Sequence, residues 1–532
     1  MRTLLLCLVL LAACVSAPDE APPPSAAANA TEDSSAPSAE ELTERALNRI
    51  AGRDSTVQAV LTLNPNALAD ARALDAEREA GAVRGPLHGV PILVKDNVET
   101  QELPTTAGSY ALAANDTGRD APAVARLREA GAVILGKTNL SEWANFRSTD
   151  STSGWSGMGG QVRNPHALDR SPCGSSSGSG AAVAAGYVPA ALGTETNGSV
   201  ICPAAMNGIV GFKPTVGMVS RTHVVPISPT QDTIGPMTRS VADAALLLSV
   251  MAGTDPADPA TAEADARRPA ADLAPDALDG ARVGVLRFAV GDDPRVAALF
   301  DEALAVIEAQ GATLVEIEAW DAPDTLGADE FTVLLAEFKT SVEAYLADAA
   351  PPVETRTLAD LIAFNALNAD EELPLFGQDI LERSQATDGV DEPSYREALP
   401  RLLRAVREDG IERFLAEAEA DVLVAPTAGP AFLIDPVGGD SYDGSIGVGY
   451  VAAIAGTPHL TVPMGTVQGL PVGISFFGAA WDDEGVLAAG ADYEAASGKI
   501  VAPTFRRDAF EAEATRDALQ RDRDPLEAIS RP

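Results

Sequence analysis

Between Ser171 and Ser199 the chain gathers serine and glycine into two short runs. These are Cys173-Gly174-Ser175-Ser176-Ser177-Gly178-Ser179-Gly180 and Gly193-Thr194-Glu195-Thr196-Asn197-Gly198-Ser199. A flexible linker has such a composition, but this region lies between patterned segments, and Ala181-Ala182-Val183-Ala184-Ala185 follows the first run at once as a small-residue helix suited to tight packing. Well before them, Lys95 closes the apolar stretch Gly89-Val90-Pro91-Ile92-Leu93-Val94. A lysine desolvated by apolar neighbours loses affinity for its proton and serves as a base near neutral pH. A hydroxyl between it and a second serine relays the proton and activates that second serine as a nucleophile. Glycines beside the nucleophile let backbone N–H groups converge on a developing oxyanion.

Two formal motifs fail on context. Gly131-Ala132-Val133-Ile134-Leu135-Gly136-Lys137-Thr138 fits the phosphate-loop pattern, yet its variable positions are apolar and read as a strand. Gly174-Ser175-Ser176-Ser177-Gly178 fits the nucleophile-elbow pattern, but an elbow needs an apolar strand before it, and residues 164–173 are polar and proline-broken. The elbow also needs a histidine. Of His88, His166, His223 and His459, only His459 follows a plausible acid in chain order, and the four show no paired metal-ligand spacing. Lys137 and Lys213, each beside Gly, Thr or Pro at a segment end, read as structural.

The two runs and Lys95 resemble the amidase signature family of Ser–cis-Ser–Lys hydrolases. The likeness continues through Cys202 to Thr215, Gln231-Asp232-Thr233-Ile234-Gly235-Pro236-Met237 and Ser240 to Asp243, with a weaker echo at Ala455-Gly456-Thr457-Pro458. It covers residues 40–505 and is densest from 85 to 245. Ser141-Glu142-Trp143-Ala144-Asn145-Phe146, Gly154-Trp155-Ser156-Gly157 and Cys173 to Ser177 look most like the bacterial peptide amidases, which remove C-terminal amides of peptides. The resemblance implies an α/β amidase signature fold in a single domain, a large twisted mixed β-sheet flanked by helices. It also implies catalytic Lys95, bridging Ser175 with a cis peptide bond, acylated Ser199, and an oxyanion loop at Thr196, Asn197 and Gly198. The implied reaction is hydrolysis of a small-molecule or peptide carboxamide through an acyl-enzyme, with no metal or organic cofactor. The alternatives are a non-catalytic ligand-binding lipoprotein on the same scaffold and a transamidating amidase subunit.

Four positions depart from the family pattern. Glu195 stands where an aspartate is usual, Asn197 where glycine is usual, Ile201 where an arginine is common, and Cys173 where glycine is common. An Asp–Arg pair bracing the loop is therefore missing. Cys173 and Cys202 flank the two serines and come close together if those serines meet. Two buried free thiols are the expected state, a disulfide the alternative open in an oxidising compartment.

The chain ends point to export. Arg2, the apolar core Leu4–Leu11 and Leu11-Ala12-Ala13-Cys14 make residues 1–14 a lipoprotein-type signal peptide with Cys14 as the lipidation site. An ordinary secretory leader cut near Ala17 is the alternative. Residues 15–38 form a Pro/Ala/Ser-rich tether, 39–505 the amidase domain, and 506–532 a charged tail, either a surface helix or disordered. The expected location is the periplasm or cell envelope, with the membrane touched only through the lipid. A formal net charge of −39 argues against nucleic-acid partners.

Local signals place several elements. Ser38 and Glu41 ahead of Leu42, Ala46 and Ile50 form a capping box opening an amphipathic helix. Asn66 is expected to cap a helix reaching Ala80, residues 90–94 and 133–135 to be strands, and residues 122–130, 301–310, 395–407 and 411–419 to be helical. Strand–helix alternation of this kind argues for a sheet covered by helices.

Overall fold

The capping box forms as expected. In the computed structural model, which describes residues 37–512, Ser38 Oγ accepts the Glu41 N–H at 3.1 Å and the Glu41 carboxylate accepts the Ser38 N–H at 3.1 Å. The helix Ala39–Val57 follows. Cys14, the signal segment and nearly all of the tether lie outside the described residues.

Thirteen strands occur among the described residues: β1 (Val60–Leu63), β2 (Pro91–Lys95), β3 (Val133–Thr138), β4 (Trp155–Ser156), β5 (Gly160–Gln161), β6 (Ala190–Glu195) and β7 (Val210–Lys213). Then come β8 (Thr233–Thr238), β9 (Arg282–Leu286), β10 (Thr313–Ile317), β11 (Val422–Pro426), β12 (His459–Val467) and β13 (Leu470–Phe477). Eleven of them build one mixed sheet in the order β1-β3-β2-β6-β8-β7-β12-β13-β11-β9-β10, and β4 pairs β5 separately. Parallel pairs join β3, β2 and β6, and again β11, β9 and β10; the strands between run antiparallel.

Side chains alternate across this sheet, as a pleated strand buried on both faces requires. Ile92 and Val94 of β2 pack with Leu192, Phe212 and Ile234 in one apolar cluster. Leu93 between them joins Val133, Leu135, Ala191 and residues 181–185 in another. The helix Ser177–Ala184 starts inside the serine run, four residues before the alanines that announce it. A Cβ at Gly178 would run into the backbone oxygens of Ala59 and Asn139, so glycine lets the helix start press against the sheet's end.

Other boundaries shift in the same way. The strand expected at 133–135 runs on to Thr138, carrying Lys137 inward, so the phosphate-loop pattern is a β-strand. Asn66 sits at the start of Ala67–Glu79, but its side chain makes no capping bond; Asn64 Oδ1 accepts the Asn66 N–H instead, at 2.9 Å. The helix expected from residue 301 begins at Pro294, capped by Asp293. Past Phe505 the chain returns to the body, where the Leu168 N–H donates to Arg506 O at 2.9 Å and Arg506 bridges Ala167.

Candidate active site

Lys95 ends β2 and is fully buried. Its Nζ donates to Ser175 Oγ at 2.8 Å, Thr194 Oγ1 at 2.9 Å and Thr194 O at 3.2 Å, which occupies all three ammonium donors with uncharged oxygens. Asn97 Nδ2 donates to the same Thr194 hydroxyl at 2.9 Å. Burial drives the Lys95 ammonium down to about 7, against the opposing pull of the Glu195 and Asp232 carboxylates. A lysine in this range is substantially neutral near pH 7 and can take a proton from the hydroxyl beside it. The other two candidate lysines are held elsewhere. Lys137 Nζ donates to Val98 O and Thr105 Oγ1, with Asp96 3.4 Å away, and Lys213 Nζ donates to Pro214 O at 3.0 Å.

The Gly174–Ser175 peptide bond is cis. A Cβ on Gly174 would collide with Ser141 Oγ and Asn145 Oδ1, so only glycine fits against the loop opposite. Ser176, the neighbouring serine, serves the backbone: its Oγ donates to Thr194 O at 3.1 Å and accepts the Thr194 N–H at 3.2 Å. Its N–H donates to Ser199 O at 3.1 Å, tying the first serine run to the second.

Ser199 lies on the turn that leaves β6 and enters the helix Ile201–Asn207. Glu195 on the strand braces this turn. Glu195 Oε2 accepts the Val200 N–H at 2.8 Å and the Ile201 N–H at 3.0 Å. The loop before Ser199 has further supports: Thr196 Oγ1 donates to Asp232 Oδ1 at 2.6 Å, Gln231 Nε2 to Thr196 O at 3.2 Å, and Asn197 Nδ2 to Glu330 Oε1 at 2.7 Å. Burial holds the Asp232 carboxyl up at about 6.

Thr196, Asn197, Gly198 and Ser199 line a cavity of about 420 Å³, as does Gly174. Asn145, Phe146, Thr427, Asp440, Tyr450 and His459 also line it; Asn145 and Phe146 belong to the run that resembles the peptide amidases, whereas no sequence signal marks Thr427, Asp440 or Tyr450. Asn145 belongs to Trp143–Asn145, three consecutive residues with positive φ, a conformation no local pattern announces. His459 does not act as an elbow histidine: its Nε2 is 2.7 Å from Ser475 Oγ, and burial lowers its basicity well below the usual imidazole range.

One expectation is overturned. Cys173 and Cys202 are not free thiols but a disulfide, packed with Met206, Ala428, Ala431 and Phe432. The reason is the contact between the serine runs, which brings the flanking Cα atoms within 5.9 Å, well inside bridging range.

The mixed sheet and a site in which buried Lys95 donates to Ser175 define the class, an amide-bond hydrolase. The chain belongs to the amidase family, whose family model matches residues 41–487. A probable amidase of Arabidopsis thaliana is 39% identical over 475 residues, covering 86% of this chain and 87% of the relative. A glutamyl-tRNA(Gln) amidotransferase subunit of Roseiflexus castenholzii is 38% identical over 481 residues, covering 85% of this chain and 91% of the relative. The solved native peptide amidase of Stenotrophomonas maltophilia is 46% identical with a TM-score of 0.81, covering 88% of this chain and 96% of that one.

Proposed function

We propose that this amidase cleaves the C–N bond of uncharged carboxamides, peptide C-terminal amides foremost, by a Ser199–Ser175–Lys95 relay. The observation that carries the reading is the 2.8 Å hydrogen bond from buried Lys95, with its ammonium near 7, to Ser175. Neutral Lys95 takes the Ser175 hydroxyl proton, Ser175 takes that of Ser199, and Ser199 Oγ attacks the amide carbonyl. Backbone N–H groups of the Thr196–Ser199 loop receive the developing oxyanion. Collapse of the tetrahedral adduct expels ammonia or an amine, protonated back through Ser175. Water then enters by the same relay and releases the carboxylate.

Likeness to the peptide amidase supports the peptide-amide substrate, and so does a cavity whose lining includes neither lysine nor arginine. We propose further that the protein works outside the cytoplasm, anchored through Cys14. The Arg2–Cys14 pattern supports this, and so does the disulfide, since such bonds persist in oxidising compartments. Export and a charge of −39 favour hydrolysis over service in tRNA-dependent transamidation.

A fluorophosphonate probe followed by peptide mapping tests the relay: label is expected on Ser199, and a folded sample that takes none supports the ligand-binder. Ammonia release across a panel of peptide amides and small amides tests the substrate. Fractionation of a Gram-negative host tests the anchor. Lipid on Cys14 is expected, and a soluble form beginning near Ala17 rejects it.

A further inference from the structure

We propose that the Cys173–Cys202 disulfide is a positioning cross-link for catalysis, holding Ser175 and Ser199 at their working separation. The inference rests on the relay reading above. Cys173 lies two residues before Ser175 and Cys202 three residues after Ser199, so the bond joins the two segments that carry the reacting hydroxyls.

The other direct ties between those segments are hydrogen bonds: the Ser176 hydroxyl donates to Thr194 O at 3.1 Å and accepts the Thr194 N–H at 3.2 Å, and Asn207 Nδ2 donates to Pro172 O at 2.9 Å. The Ser176 N–H to Ser199 O bond joins them as well, and the disulfide adds a covalent link whose two cysteines both line the cavity. Each cysteine is anchored to a catalytic turn. The Cys202 N–H donates to Gly198 O at 2.8 Å. The Cys173 N–H donates to Ser171 Oγ at 3.1 Å, and Cys173 O accepts from Ser177 Oγ at 2.6 Å.

Cys173 has φ +57°, the left-handed region that disfavours side chains. A cysteine there accepts backbone strain, and the cross-link is what it provides in return. Hydrogen bonds exchange for bonds to water, whereas a covalent tie does not, so the disulfide is what fixes the spacing of the two turns. Loss of the bond therefore lets Ser199 Oγ swing relative to Ser175 while the cavity that binds substrate stays in place. Misplacement of a reacting group by about 1 Å is enough to cost on the order of 100-fold in rate.

The experiment uses the full-length folded enzyme and tris(carboxyethyl)phosphine. The phosphine takes the oxygen of one water and becomes the oxide, the S–S bond breaks, and each sulfur keeps one proton. Thiol titration, kcat, KM, the rate of fluorophosphonate labelling and the thermal midpoint are followed together. Reduction is expected to lower kcat by about tenfold or more with KM within about twofold. Labelling should slow in step with kcat, and oxidised glutathione should restore both. Cys202→Ala should reproduce the low kcat and make the enzyme indifferent to the phosphine.

Unchanged kcat with both thiols titrated overturns the proposal and leaves the bond a stabiliser only. A loss of activity that follows the loss of folded protein overturns it too. Failure of the oxidised, folded enzyme to label at Ser199 at all refutes the relay reading itself, a result visible before any reduction.

Discussion

Lys95 differs from the buried Lys137 in what surrounds it. Its three hydrogen bonds all go to neutral oxygens, whereas Lys137 has Asp96 within 3.4 Å. Desolvation therefore acts on Lys95 without a contacting counter-charge, and the ammonium falls to about 7. The sign for activity follows. Below that value the lysine is protonated and cannot accept the Ser175 proton, so kcat/KM should fall by about tenfold per pH unit, and above it the rate should level off. A pH–rate profile with the opposite slope removes Lys95 as the base. Lys95→Arg should be inactive at every pH, since guanidinium does not deprotonate in proteins. The neighbouring serines divide just as sharply. Ser175→Ala removes the relay and should lower kcat by about 10³-fold or more, because members of a coupled triad fail together. Ser176→Ala instead strips partners from the Thr194 N–H and C=O. It should cost about 1–3 kcal/mol of stability, read in denaturant unfolding, with kcat largely kept. A mild Ser175→Ala beside a dead Ser176→Ala would mean the register is off by one.

The turn from β6 into the helix Ile201–Asn207 shows how one element carries both geometry and electrostatics. Glu195 on that strand receives two N–H groups beyond Ser199 and also raises the Lys95 proton affinity by its charge. Glu195→Gln keeps an oxygen acceptor and removes the charge. The midpoint of the pH–rate profile should then move to lower pH, and an unmoved midpoint would deny Glu195 its electrostatic role. What was legible in the sequence at this scale was mostly local. The Ser38–Glu41 capping box and the strand expected at 90–94, found as Pro91–Lys95, are set by short-range chemistry and appear within a residue of where the sequence places them. Boundaries failed where tertiary contact overrode the local signal. The helix Ser177–Ala184 starts early because Gly178 lets its first turn pack on the backbone of residues 59 and 139. The pairing of β6 with β8, and of β12 with β7, joins residues far apart in the chain and leaves no periodic trace. The disulfide was misjudged for a related reason: two cysteines in sequence carry no Cα separation. Asp440 and Tyr450 reach the cavity from a loop and a helix far along the chain, with no motif around them.

Over the whole molecule the dominant quantity is charge, 77 acidic residues against 38 basic ones. The cavity shares that sign. Its lining includes Asp440, whose carboxyl is pushed up by burial against the opposing pull of the Ser153 N–H at 3.0 Å, and no lysine or arginine. A substrate carboxylate entering there finds no cation to replace its lost hydration, which is costly for an ion leaving water. Two like charges about 8 Å apart repel by roughly 2 kcal/mol at an effective dielectric of about 20. Peptide amides that differ only in one side chain, cationic, neutral or anionic, should therefore rank in that order of kcat/KM. The anionic one should lie about tenfold or more below the neutral one at low salt. Part of the gap comes from the field of the whole surface, which salt screens over about 8 Å at 0.15 M ionic strength. The remainder belongs to Asp440, and Asp440→Asn should narrow it at every salt concentration. Initial rates of ammonia release, measured at two ionic strengths for both proteins, separate the two contributions. An anionic amide cleaved as fast as its neutral counterpart would mean that the cavity's charge takes no part in choosing the substrate.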